Sequence, residues 1–159
     1  RYNVERYFME LKNVNFETAV DAKILDKKLH GLKWITPEFA NDPSLELNLL
    51  LEVKNKILSD NTNKIIIGEY QILPAITNNV NYVPNKWLDS LSIPRNNNKY
   101  FKTYKNFFIS KLRKQNISTI YVVGNVETEA ILKIFDKKDC TRKIFLNRIS
   151  AKIIMKDCF

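Results

Sequence analysis

The residues of this chain whose types suit ligand chemistry lie between Gly68 and Arg95. Glu69, Tyr70 and Gln71 follow the run Ile65, Ile66 and Ile67, preceded by polar Asn61, Thr62 and Asn63. That run reads as a central strand covered on both faces. The polar triplet therefore stands at a strand's carboxyl end, the edge of an open α/β sheet where loops and helix N-termini converge on ligands. The competing reading gives Glu69 and Gln71 to the capping of a short helical turn from Ile72 to Thr77, with Pro74 inside its first turn. Beyond it, about twenty residues carry no sustained period, which is uncommon in a compact domain unless they form a functional or packing loop. Within that loop Trp87 offers a face for stacking on a sugar, while Asn85, Lys86, Asp89 and Arg95 offer bonds to hydroxyls or phosphate. The plainer alternative is that Trp87 only pins the loop. The expected site has Glu69, Tyr70 and Gln71 as one wall of a cleft, with Asn85, Lys86, Trp87 and Arg95 folded over it.

Other chemistry is sparse. The single histidine, His30, precedes Gly31 and suits a helix C-terminus meeting the dipole. The two cysteines, Cys140 and Cys158, show neither CxxC nor Cys/His spacing, so no zinc site is expected. In an oxidising compartment they pair, and in the cytosol they stay free thiols. Gly124-Asn125 after a second apolar run is no phosphate loop, because GxGxxG and GxxxxGK[ST] are absent. There is also no Ser-His-Asp set and no nucleophile elbow, and no cofactor is expected.

The formal charge is +9 over 159 residues, which by itself points to an anionic partner such as nucleic acid, a lipid head group or a phosphorylated substrate. Composition weakens that inference. The sequence has 20 Lys, 19 Asn and 18 Ile against 3 Gly and 6 Ala, the mark of an AT-rich coding sequence. The lysines are spread without a block of five like charges, so a nucleic-acid partner is not favoured.

The elements that must hold these residues can be read in order. Residues 1–15 alternate weakly, as an extended or helical lead-in. Asp21 to His30 places Ala22, Leu25 and Leu29 on one helical face, with Gly31 as a left-handed cap. Leu32 to Thr36 alternates as a first strand. Asn41-Asp42-Pro43-Ser44 opens an amphipathic helix running to Leu58, with Leu45, Leu49, Val53 and Ile57 as its stripe and Leu50 and Leu58 flanking it. Lys99 to Lys114 is a helix whose Tyr100, Tyr104, Phe107, Phe108 and Leu112 share the buried side. Ile117 to Val123 is a second buried strand, 126–135 a helix, and Lys143 to Leu146 and Lys152 to Met155 short strands. Helices between strands predict one α/β domain over residues 1–159. Its fold is expected to be a Rossmann-like three-layer α/β/α sandwich on a mostly parallel sheet of four or five strands, with the two isoleucine- and valine-rich strands central and adjacent.

Three phrases carry a resemblance: LDKKLHGLKWITP (25–37), EYQILPAI (69–76) and PNKWLDSLSIPRNNNKYFKTYKNFF (84–108). They resemble the soluble tail after the last membrane span of bacterial multi-spanning glycosyltransferases similar to glycosyltransferase family 39. The resemblance implies a fragment of a larger membrane protein, in keeping with a chain that begins at Arg1, and places it on the periplasmic face of the inner membrane. It implies a Cys140–Cys158 disulfide, a partner in the membrane-spanning part of the same polypeptide, and contact with a polyprenyl-phosphate sugar or a glycan acceptor. That family's catalytic acidic residues sit in loops near its first membrane spans. No stretch of about 20 apolar residues exists here, so no catalytic residue is carried over. A self-standing hydrolase or transferase on an anionic small molecule, with Glu69 as acid or base and Lys86 or Arg95 holding the anion, is the second reading. A basic nucleic-acid module is the third.

Overall fold

A computed structural model describes residues 14–80, 83–84, 94–126, 128–135 and 137–159. The chain divides into two compact units, Arg1–Glu52 and Val53–Phe159.

The first unit is built from short pieces. Strands β1 (Val20–Asp21) and β2 (Lys33–Trp34) pair antiparallel. Between them the expected helix is replaced by two 3-10 turns, Ala22–Ile24 and Lys27–Leu29. The reason lies in two aspartates. Asp21 accepts from Lys23 N and Asp26 from Lys28 N, each at 2.9 Å. Each carboxylate thus restarts a turn, and the extended backbone of Asp26 (φ −160°, ψ 142°) interrupts an i→i+4 ladder. The expected apolar face survives, since Ala22, Leu25 and Leu29 are buried, and Gly31 takes the left-handed conformation (φ 84°). The first strand is shorter than the expected Leu32 to Thr36, and exposed His30 caps the second 3-10 turn.

Helix α1 (Pro43–Ser59) runs from this unit into the second and starts at the expected proline. Val53 and Ile57 of the expected stripe are buried with the flanking Leu50, but Leu47 takes the inward place at the helix start, and Leu45 and Leu58 are exposed. Glu46 is buried too, because its Oε2 accepts the indole N–H of Trp34 at 2.5 Å. A run with leucines at 45, 47, 49, 50 and 51 is apolar nearly all round, so its period alone does not fix which side turns inward.

The second unit holds a four-stranded sheet in the order β3-β4-β6-β5. Its members are β3 (Lys64–Gly68), β4 (Thr119–Val123), β5 (Thr141–Asn147) and β6 (Ser150–Met155). Between β3 and β4 come α2 (Ile72–Ile76) and α3 (Phe101–Lys114), and α4 (Thr128–Leu132) follows β4. β3 and β4 pair parallel in register from Lys64↔Thr119 to Gly68↔Val123. β4–β6 and β5–β6 pair antiparallel. On one face Ile65, Ile67, Ile120, Val122, Ile153 and Met155 form a core with Phe108 and Leu112 of α3 and Ile131 of α4. On the other, Tyr121 lies beside Ile66 and Lys152, its register partners.

The mostly parallel, Rossmann-like sandwich is therefore overturned. Only one of the three pairings in this sheet is parallel. The cause is legible at Asn147 and Ser150, which close β5 onto β6 with two residues between them. So short a connection joins antiparallel strands only, since a parallel pair needs a crossover of a dozen or more residues. The hairpin then occupies the flank of β4 where a further parallel strand was expected. β3, expected to be central, is the edge strand of this sheet although Ile65, Ile66 and Ile67 are all buried. The adjacency of β3 and β4 and their parallel pairing are as expected.

Candidate functional site

At the carboxyl ends of β3 and β4 two glycines permit a close approach. Gly68 has φ +144°, and a Cβ there would lie 1.7 Å from the Val123 carbonyl oxygen. Gly124 has φ +94°, and a Cβ there would lie 2.7 Å from Glu69 Oε2. With no side chain at either position, Glu69 N–H reaches the Val123 carbonyl at 3.2 Å and Glu69 Oε2 accepts from Asn125 N at 3.1 Å. Glu69 thus ties the end of β3 to the turn leaving β4. Gln71 occupies the N-cap position of α2 without a side-chain cap bond. Its Nε2 instead donates back to the Gly68 carbonyl at 2.5 Å. Neither residue caps α2 through its side chain, as the capping reading required.

The structure brings Tyr70 and Gln71 together around a shallow depression, whose lining also includes Ile66, Ile67, Gly68, Pro74 and Val123. It encloses no space large enough for a water molecule, far from the roughly 300 to 1,000 Å³ of small-molecule pockets, so it is a surface depression and not a chamber. Glu69 and Gln71 are exposed and Tyr70 is half-buried. Arg95 is exposed, and its carbonyl accepts from Asn98 N at 2.8 Å. Asn85, Lys86 and Trp87, expected to cover the wall, lie outside the described residues, as does Asp89.

A second cluster was not foreseen. Asp60, in the turn between α1 and β3, accepts from Tyr121 Oη at 2.7 Å, from Thr62 N at 2.9 Å and from Thr62 Oγ1 at 2.7 Å. Lys152 Nζ lies 2.7 Å from the same carboxylate, whose side chain is 7 % exposed. The Tyr121 hydroxyl also contacts the Lys56 carbonyl at 3.2 Å, and Thr62 Oγ1 and Thr119 Oγ1 lie within hydrogen-bond distance at 2.9 Å. Burial alone would raise the Asp60 pKa. The Lys152 ammonium, both Thr62 donors and the Tyr121 hydroxyl outweigh it and hold the carboxyl well below the usual carboxylate range. Burial, followed by its hydrogen bond to Asp60 and that carboxylate's charge, pushes the Tyr121 phenol well above its ordinary value. A neutral phenol donating to a carboxylate already bonded to Thr62 and Lys152 is neither a nucleophile nor a base, so the cluster fastens elements together. Nothing in the sequence joined positions 60, 121 and 152. The one available signal was a tyrosine within an apolar strand, whose hydroxyl needs a partner once buried.

Among the described residues no group of three or more His, Cys, Asp or Glu is placed to hold a metal ion. No described helix is long and apolar enough to cross a membrane. Cys140 and Cys158 form a disulfide with Cα atoms 5.0 Å apart. It closes the sheet at the amino-end side of β4, where Thr141 pairs with Met155 and Met155 N donates to the Ser118 carbonyl. No protein-family model, curated protein or solved structure matches the chain.

Proposed function

We propose that this chain is a non-catalytic periplasmic domain of a membrane glycosyltransferase similar to family 39, helping to hold a lipid-linked sugar or its acceptor beside the membrane-spanning part of the same polypeptide. The observation that carries this reading is the Cys140–Cys158 disulfide, since structural disulfides persist in oxidising compartments and are rare in the cytosol. The wall at the carboxyl end of β3 supports an auxiliary role. It presents a carboxylate, a phenol and a carboxamide beside a shallow depression, and the buried ionic cluster elsewhere is bonded within itself. In this reading Glu69, Tyr70 and Gln71 bond sugar hydroxyls, Trp87 stacks on a ring, and Lys86 and Arg95 meet phosphate.

The test uses the full-length polypeptide in membranes. Trp87→Ala should raise the KM for the polyprenyl-phosphate sugar or the acceptor roughly tenfold, about 1.4 kcal/mol of lost contact, while thermal unfolding stays within a few degrees. A fall of many degrees with unchanged activity per folded molecule would make Trp87 a structural pin. After mild reduction, a membrane-impermeant thiol reagent should label Cys140 and Cys158 from the periplasmic side. Labelling only from the cytoplasmic side, or sugar turnover by the 159-residue chain alone, would refute the assignment in favour of a self-standing enzyme.

A further inference from the structure

Between Asp89 and Glu127 the sequence has seven basic residues and no acidic one, a local charge of +7 against +9 for the whole chain. Helix α3 lies inside this stretch. Phe108 and Leu112 turn its buried side to the core, yet two aromatics expected on that side do not follow them. Tyr100, at the N-cap, is 60 % exposed and Phe107 is 44 % exposed. Residues 100, 103, 107, 111 and 114 recur at spacings of three and four, so Tyr100, Phe107, Lys111 and Lys114 share one flank. Lysine ammonium groups stand over both rings, Lys99 at 4.8 Å from the Tyr100 centroid and Lys111 at 5.5 Å from that of Phe107.

We infer that this flank of α3 docks on an anionic phospholipid surface. Aromatic rings settle at the level of the lipid headgroups, where one end meets acyl chain and the other water. Lysines beside them meet headgroup phosphates, each contributing on the order of 1 kcal/mol near an anionic surface. Single-stranded nucleic acid would also answer to aromatics among lysines, but it binds by stacking bases on open ring faces. Here an ammonium already stands over one face of each ring. The disulfide, moreover, is in keeping with an oxidising compartment. The inference rests on the exposure and charge of α3 and on that disulfide, and it holds whether or not the glycosyltransferase reading does.

Flotation of the 159-residue chain with vesicles decides it. The chain should float with equal parts of phosphatidylglycerol and phosphatidylcholine, stay behind with phosphatidylcholine alone, and be released as salt is raised. Lys111→Glu combined with Lys114→Glu should lower partitioning at least roughly thirtyfold, the effect of two surface cations. Tyr100→Ser with Phe107→Ser should lower it severalfold, and both pairs should unfold within a few degrees of the native chain because the positions are exposed. Lys27→Glu with Lys28→Glu, the same charge change on an exposed turn of the other unit, should leave it within about twofold. The inference fails if the native chain does not float, if it floats equally with neutral vesicles, or if the Lys27/Lys28 pair loses as much as the Lys111/Lys114 pair. It also fails if only a fluorescent oligothymidylate binds and the Lys111/Lys114 pair abolishes that binding.

Discussion

The two ends of the parallel β3–β4 pair are held by different physics. At the carboxyl end the backbones approach because Gly68 carries no side chain, Gly124 leaves room for the Glu69 side chain, and Glu69 bridges from one strand to the turn after the other. At the amino end a buried carboxylate, Asp60, gathers Thr62, Tyr121 and Lys152, and the Cys140–Cys158 bond closes the hairpin nearby. Buried polar groups must be matched, so at the amino end each of these groups is used by the others. At the carboxyl end the fit comes from missing atoms, and Glu69, Gln71 and part of Tyr70 remain accessible to a ligand. Polar side chains are thus left accessible where the scaffold is held by shape, and are bonded to one another where it is held by charge.

The largest expected effect tests the claim of shape. Gly68→Ala places a Cβ against the Val123 backbone, so the strands must part or the chain must strain, a cost of about 4 kcal/mol or more. Urea unfolding would measure it. A loss below about 1 kcal/mol would mean that the close approach is easily relaxed, and the contrast between the ends would collapse.

Next comes the claim of charge. Asp60→Asn leaves Lys152 without its carboxylate partner and should cost about 3 kcal/mol. The pH dependence carries a sign. The folded carboxyl is held below its unfolded value of about 3.9, so the unfolded state binds the proton first as pH falls. The stabilisation is whole above the unfolded value and declines below about pH 4, towards the folded value. Equilibrium unfolding between pH 6 and pH 2 should therefore show a steeper acid loss in the native chain than in Asp60→Asn. Parallel curves would show that Asp60 is not the group responsible.

The smallest effect should come from Glu69→Ala. It removes one exposed acceptor of the Asn125 N–H, worth about 1 kcal/mol. If Glu69 also belongs to a ligand wall, sugar binding by the full-length protein should fall more than this stability loss explains. Equal effects on binding and on stability would reduce Glu69 to a bridge.

Much of the scaffold was legible because local signals agree with the final structure. Pro43 after Asn41-Asp42 opens α1, Gly31 takes the left-handed conformation, and the isoleucine and valine runs form adjacent parallel strands. The position of Glu69, Tyr70 and Gln71 at a strand's carboxyl end followed from the same signals. By itself, then, the sequence determined α1, α3 and the β3 and β4 strands, where periodicity, caps and β-branched runs act over a few neighbouring residues, but not the Asp21 to His30 segment, whose helical period gave two 3-10 turns. Tertiary structure alone decided the rest. It made β3 an edge strand among the described residues, with β4, β6 and β5 all on one side of it. It turned Glu46 inward and Leu45 outward on α1, because the Trp34 indole supplied a donor twelve residues away. It joined Asp60 to Tyr121 and Lys152, because burying a phenol forces it to find an acceptor, and that acceptor lay on a turn 61 residues earlier.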